Sequence, residues 1–305
     1  MADHTDSLTV HGEHGTTIFT LSGPTLVVHR ASDSEFHSPP VRVSPHGGPT
    51  EKWPRIETTV RHVLWAEVKE NLFEIALVAR RKNSHPLSLV LVAGTVKSDQ
   101  LEIATAFTTS LMDVAYAGIR RQRRLRVLVN PKSGPGNGIG LYHRKVEPIF
   151  RAAHCHVELT LTTHHGHAYE LMKTLDLGQY DAIVVVSGDG LVHEIINGFA
   201  EHARPEEAFR LPITPVAGGS GNALALNILG PKEGCDICAA ALNAVKGRPM
   251  RIDLCSVTQG EKKTLSFISQ CVGMLADVDL GTEHLRFLGS NRFVLGYVYG
   301  GDIFS

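Results

Sequence analysis

No stretch of this 305-residue chain stays apolar for the ~18 residues that a bilayer-spanning helix needs. A signal-peptide pattern is missing as well, since Met1-Ala-Asp-His-Thr-Asp-Ser7 offers neither a basic nor an apolar region. Cysteine is sparse. Cys155, Cys235, Cys238, Cys255 and Cys271 are scattered, which fits a reducing compartment rather than a disulfide framework. An excess of one charge is lacking too: 30 Lys and Arg stand against 31 Asp and Glu, so nothing supports a nucleic-acid partner. These absences predict a cytoplasmic chain, soluble or peripheral on intracellular membranes.

Several familiar chemical signatures are also missing. No Gly-x-x-x-x-Gly-Lys-Ser/Thr occurs, and Gly136-x-Gly138-x-Gly140 has the wrong third spacing for a dinucleotide fingerprint. Glu158 falls about where a ribose-binding acid would, which keeps a dinucleotide reading open. Cys235-x-x-Cys238 has no second ligand pair, and His154, His156, His164, His165 and His167 show no HExxH or finger spacing. Zinc is not expected, and the metal ligands are left unassigned.

What is present is apolar residue, at 43%, enough for sizeable cores and, at this length, about two domains. Residues 1–119 read as a β-rich region: short alternating runs at Leu8–Val10, Thr17–Leu21, Thr25–Val28, Val60–Val68, Phe73–Val78 and Leu87–Val92 are separated by turn residues. A long loop is expected from Ser32 to Pro54. Helical spacing follows from Asp99, with Leu101, Ala104, Leu111, Val114 and Ala115 on one face. Strands closed by one helix suggest a small pleckstrin-like barrel. The basic run Arg120–Arg126 reads as a solvated linker or, alternatively, an anionic-lipid contact.

From 120 to 247 the rhythm is βα, which implies an α/β domain with a parallel sheet and ligands at its C-terminal strand ends. Strands are expected at Val127–Val129, Val157–Leu161, Ala182–Val186 and Ile213–Val216, with helices near Leu141–Ala153, His167–Leu175 and Gly234–Val245. Residues 248–305 change rhythm again: Met250–Val257 and Thr264–Cys271 read as strands opening a β-rich lobe. Leu275-Ala-Asp277-Val-Asp279-Leu280 reads as a further strand with both acids on one face. Solvated edge charges would explain them, with Arg286 and Arg292 able to pair with the acids or with phosphates.

Two turns carry the chemistry. Apolar Ala182–Val186 runs into Ser187-Gly188-Asp189-Gly190, and Ile213–Val216 runs into Ala217-Gly218-Gly219-Ser220-Gly221-Asn222. Glycines between a strand and a helix let backbone approach a phosphate, and the helix start supplies unpaired N–H groups. Asp189 could simply cap the following helix, but a cap does not require two flanking glycines. A lone carboxylate in an anion-binding turn points to phosphoryl transfer, the acid being kept for a proton or a metal. Lys132, in the loop after the first strand, could neutralise a phosphate.

Three segments together resemble the catalytic core of the diacylglycerol kinase and sphingosine kinase superfamily: Asn130-Pro-Lys-Ser-Gly134, Ser187-Gly-Asp-Gly-Leu-Val-His-Glu-Ile-Ile-Asn-Gly198 and Ala217-Gly-Gly-Ser-Gly-Asn-Ala-Leu-Ala225. Ala276–Phe293 resembles the sphingosine (long-chain-base) kinases within it, and residues 1–119 resemble the pleckstrin-like segment that precedes some of those cores. The resemblance implies an ATP- and Mg²⁺-dependent lipid kinase acting on a sphingoid base at a membrane surface, with a homodimer left open. It implies that Asp189 is the general base and that Asn130, Lys132, Thr162, Ser187, Gly188, Gly190, Glu194, Gly219, Ser220 and Gly221 line the ATP site. Asp279 and Asp277 would bind the sphingoid head, and Arg286 and Arg292 would lie near the phosphates.

The chain departs from the family in two places. His164-His165-Gly166 replaces basic and polar residues that help hold the nucleotide. The family's second lobe also continues past the equivalent of Ser305, so the resemblance implies a C-terminally truncated member with an incomplete lipid pocket. Two alternatives follow: a diacylglycerol or NAD kinase of the same superfamily, or a non-catalytic nucleotide- or lipid-binding fragment.

Overall fold

The computed structural model describes residues 5–12, 15–31, 41–43, 51–53, 55–81, 86–134, 137–288 and 291–303. The chain separates into two compact units, one of residues 1–122 with 148–155 and 245–247, the other of 123–147, 156–244 and 248–305.

The first unit is built on antiparallel pairing of chain neighbours. Strands β1 (Thr5–Gly12), β2 (Gly15–Ser22) and β3 (Thr25–Arg30) form one meander. After a short pair, β4 (Val41–Val43) with β5 (Glu51–Trp53), come β6 (Ile56–Thr59), β7 (Val63–Lys69), β8 (Leu72–Ala79) and β9 (Ser88–Thr95). The main sheet runs β6-β3-β2-β1-β9-β8-β7. Period-two alternation decides which face is inside: Phe19 and Leu21 of β2, and Leu26 and Val28 of β3, are buried. Helix α1 (Leu101–Ala115) buries Ala104, Phe107, Leu111 and Ala115, a spacing of three and four, and packs on β7. Just beyond it the buried Tyr116 hydroxyl donates to the Leu64 carbonyl at 2.6 Å. The β-rich region closed by one helix therefore forms as expected. Most of the loop expected over Ser32–Pro54 lies outside the described residues.

In chain order there follow β10 (Arg124–Val129), α2 (Gly138–Leu141), α3 (Glu147–Ala152), β11 (His156–Leu161), α4 (His167–Lys173), β12 (Ala182–Ser187), α5 (Asp189–Ala200), α6 (Pro205–Ala208), β13 (Ile213–Ala217), α7 (Ala223–Glu233) and α8 (Ile237–Lys246). Four strands of the second unit form a parallel sheet in the order β11-β10-β12-β13. Every residue of β12 is buried, as a central strand covered on both faces requires. Ile183 and Val185 of β12 share a core with Leu128, Met172, Ile195, Phe199 and Leu224.

The basic run is not merely a linker, because β10 begins at Arg124. Arg126 is 5% exposed; its guanidinium donates to the Glu158 carbonyl at 3.2 Å and to Thr160 Oγ1 at 2.8 Å. The Glu158 carboxylate is 3.3 Å from the same guanidinium and accepts from the Tyr180 hydroxyl. Glu158 thus completes a cluster on the sheet, which removes the ribose role that its position suggested.

The C-terminal part of the second unit opens with a hairpin, β14 (Cys255–Gln259) paired with β15 (Lys262–Ser266). The strand expected over Leu275–Leu280 is instead part of α9 (Met274–Gly281), followed by a 3₁₀ turn (Glu283–Leu288) and α10 (Asn291–Ile303). Val278 and Thr282, four residues apart, are buried, and both approach Gly296 of α10 so closely that a Cβ there would lie 2.9 and 2.5 Å from their side chains. That helix crossing outweighs the alternation of the two acids.

Candidate active site

The four parallel strands deliver their C-terminal ends to one edge: Thr162 after β11, Asn130 after β10, Ser187 at the end of β12 and Gly218 after β13. Since β10 has β11 on one side and β12 on the other, the order of connection reverses between β10 and β12, where open parallel sheets leave a ligand crevice. Two buried hydroxyls meet there, Ser133 Oγ and Ser187 Oγ, at 3.2 Å.

The loop after β10 is held from within. Asn130 Oδ1 accepts from the Lys132 N–H at 3.0 Å, and the Asn130 carbonyl accepts from the Ser133 N–H at 3.1 Å. Lys132 is exposed. A Cβ on Gly134 would lie 2.6 Å from the Gly218 carbonyl, so this loop touches the turn after β13 through backbone. Thr162 is buried, its N–H donating to the Val129 carbonyl at 2.9 Å.

The two glycine turns interlock. A Cβ on Gly219 would lie 2.3 Å from Gly188 Cα, and one on Gly188 would lie 2.6 Å from the Gly221 carbonyl. Side chains at either position would drive the turns apart. Asn222 closes its own turn in both directions, accepting from the Gly219 N–H at 3.0 Å and donating to the Gly219 carbonyl at 2.8 Å. Gly190, by contrast, faces open space, with nothing within 4 Å of where its Cβ would be.

Asp189 is the first residue of α5 yet does not cap α5. Its Oδ2 accepts from the Ala223 N–H at 2.7 Å and its Oδ1 from the Leu224 N–H at 3.0 Å, so the carboxylate seals the start of α7. Glu194, five residues further along α5, accepts from the Ala168 N–H at 3.1 Å and serves α4 in the same way. Beside it, burial pushes the His193 imidazole below its ordinary pKa, with His165 and Lys262 acting in the same direction and Glu194 opposing.

Of the remaining candidates, the structure brings together two, Asp279 and Arg292. Arg292 is buried and pairs with the Asp279 carboxylate, donating also to the Asp279 carbonyl at 2.9 Å. Of the partners expected for Arg292, the acids or phosphates, the structure shows the acid Asp279. Asp277 is exposed, and two residues apart on a helix it does not share a face with Asp279. The Arg286 side chain lies outside the described residues. Among the described residues no three His, Cys, Asp or Glu side chains converge as a metal site, and Cys238 is a buried thiol pushed up to about 11 by burial.

Residues 124–257 match the family of the diacylglycerol kinase catalytic domain. Over that segment, which carries both glycine turns, the chain is similar to this family. Sphingoid long chain base kinase 4 of Schizosaccharomyces pombe is 42% identical over 219 residues, 70% of this chain and 47% of that protein. Sphingosine kinase 1 of Arabidopsis thaliana is 34% identical over 174 residues, 57% of this chain and 36% of that protein. Sphingosine kinase 1 of Homo sapiens is 36% identical over 184 residues, 58% and 48%. The chain spans less than half the length of these relatives.

In the matched segment the sequence reveals the turns but not four participants. For Ser133 the available signal is a hydroxyl after Lys132 in a strand-end loop. For Asn222 the sequence shows only the end of a glycine turn. The Ala223 and Leu224 amides left no signal, since any residue supplies an N–H.

Proposed function

We propose that this chain is a lipid kinase that binds ATP along the C-terminal edge of its parallel sheet and transfers the γ-phosphoryl group to the primary hydroxyl of a sphingoid long-chain base. The observation that carries this reading is the interlocked pair of glycine turns holding one carboxylate, Asp189, beside the open space at Gly190. Backbone amides and glycines suit a polyanion, and the similarity to sphingoid-base kinases supports the acceptor. In the reaction the hydroxyl oxygen bonds to the γ-phosphorus, the bond from that phosphorus to the β–γ bridging oxygen breaks, and ADP leaves. Asp189 takes the hydroxyl proton as the new bond forms, because a free alcohol is far too weak an acid to lose it beforehand.

Asn130, Lys132, Thr162, Ser187, Gly188, Gly190, Glu194, Gly219, Ser220 and Gly221 are assigned to the nucleotide side. Glu194 contributes by fixing α4 rather than by a free carboxylate. Mg²⁺ fits as a companion of the nucleotide, held by its phosphates, with Asp189 the one carboxylate in the two turns; when bound it offsets charge on the transferred group. The sphingoid head is assigned to the α9 surface, with Asp279 and Asp277, both exposed. Exposed Val272, Met274, Leu275, Val294 and Val298 in this part of the chain support a lipid-facing role. Residues 1–119 are assigned a pleckstrin-like accessory role.

Incubation of the chain with γ-labelled ATP and sphingosine, diacylglycerol or NAD tests the reading. Label is expected on sphingosine. Label on diacylglycerol or NAD alone overturns the substrate, and ATP binding without transfer to any of the three overturns the enzymatic reading in favour of a binding fragment.

A further inference from the structure

The Asp189 carboxylate is engaged before any substrate arrives. Two of its roughly four acceptor sites are taken by the Ala223 and Leu224 amides, at 2.7 and 3.0 Å. These are the first two amides of α7, which have no partner inside their own helix. The residue that would ordinarily cap them, Asn222, has turned its side chain back onto Gly219. The Asp189 N–H meanwhile donates to the Gly221 carbonyl at 3.1 Å. Backbone and side chain of one residue thus grip the C-terminal end of the turn after β13 on both sides of Asn222. An ordinary helix cap would bond α5 itself, and a carboxylate acting only as a base would need no fixed amide partners.

We propose that Asp189 is, besides the proton acceptor, the positioning residue that clamps the Gly218–Asn222 turn against the Ser187–Gly190 turn, so that nucleotide affinity and proton acceptance depend on one carboxylate. The ligand in this statement rests on the kinase reading; the clamp rests on the hydrogen bonds alone. Replacement by asparagine is then not an innocent removal of charge. The amide keeps one oxygen for one N–H but sets its NH₂ against the other, donor against donor, and loosens the turn that faces the phosphates.

The test measures amide exchange at Ala223 and Leu224 without nucleotide, then affinity for a non-hydrolysable ATP analogue, in the full chain and its Asp189→Asn and Asp189→Ala variants. Faster exchange at both amides is expected, with affinity weakened about 10-fold for Asn, the equivalent of one hydrogen bond to a charged group, and further for Ala. Ala223→Pro removes one donor at the first helical position, where proline is accepted, and leaves the carboxylate in place. It should raise the nucleotide KM more than it lowers kcat, while Asp189→Asn abolishes kcat. Unchanged exchange and affinity in Asp189→Asn, with transfer lost, would reduce the residue to a base and overturn the clamp. Failure of the wild-type chain to bind the analogue overturns the kinase reading instead, whatever the amides show.

Discussion

Gly219 and Gly190 stand in the two turns under different constraints. A methyl group on Gly219 would fall 2.3 Å from Gly188 Cα and 2.6 Å from Gly188 N, both backbone atoms that cannot step aside. Gly219→Ala is therefore expected to destabilise the second unit by about 1–3 kcal/mol, in the range of overpacking, and to abolish nucleotide binding. Gly190 has nothing within 4 Å and lies in the first turn of α5, where alanine is favoured over glycine by up to about 1 kcal/mol. Gly190→Ala should keep or raise the unfolding midpoint and still weaken ATP affinity, because only the ligand needs that space. Equal affinity in wild type and Gly190→Ala, read by calorimetric titration, would remove Gly190 from the nucleotide side.

Between elements, polar side chains do the joining that backbone ladders do within them. Asn197 of α5 donates to the Leu265 carbonyl at 2.9 Å and accepts from the Leu265 N–H at 2.8 Å, so it stands in for a neighbouring strand at the edge of β15. Asn197→Ala should cost about 1–3 kcal/mol, since it leaves both Leu265 groups without this partner. Asn197→Asp keeps the acceptor but sets a carboxylate oxygen against the Leu265 carbonyl, and so should cost at least as much. Exchange at the Leu265 amide would report this directly; protection unchanged in Asn197→Ala would mean that the hairpin is held by its apolar contacts alone. The same level of organisation explains the misread segment around Asp277. A period-two pattern of acids suggested a strand, but Val278 and Thr282 crossing α10 at Gly296 supply a buried contact that only a helix can make.

At the scale of the whole chain, the least expected group is Lys246, which belongs to the first unit although it lies within the matched segment 124–257 in sequence. It is fully buried, donates to the Ala115 carbonyl at 3.0 Å and lies 3.9 Å from the centre of the Tyr116 ring. Burial, reinforced by Arg61 and Arg121, pushes its pKa down to about 7. In the unfolded chain the amine keeps its proton to about pH 10.4. Between these values the unfolded state binds more protons, so stability rises with pH across the window and is lowest below pH 7, where the buried amine must carry charge. Urea midpoints should climb between pH 7 and 9.5 in the wild type and flatten in Lys246→Met; an equal slope in both would place the titration elsewhere.

The sequence by itself determined the parallel α/β core, the antiparallel region before it and the two glycine turns. Each rests on local physics: hydrophobic period, strand-to-helix punctuation, and the backbone freedom of glycine. It also singled out Asp189, because a carboxylate between two glycines has few uses. Only the tertiary structure decided what those residues touch. That the turns interlock through Gly188 and Gly219, that Asp189 seals α7 rather than α5, and that Glu158 serves Arg126 and Tyr180 rather than a ribose all follow from strand order, which brings together segments some thirty residues apart. Strand order is set by packing of the whole sheet, and no local pattern carries it.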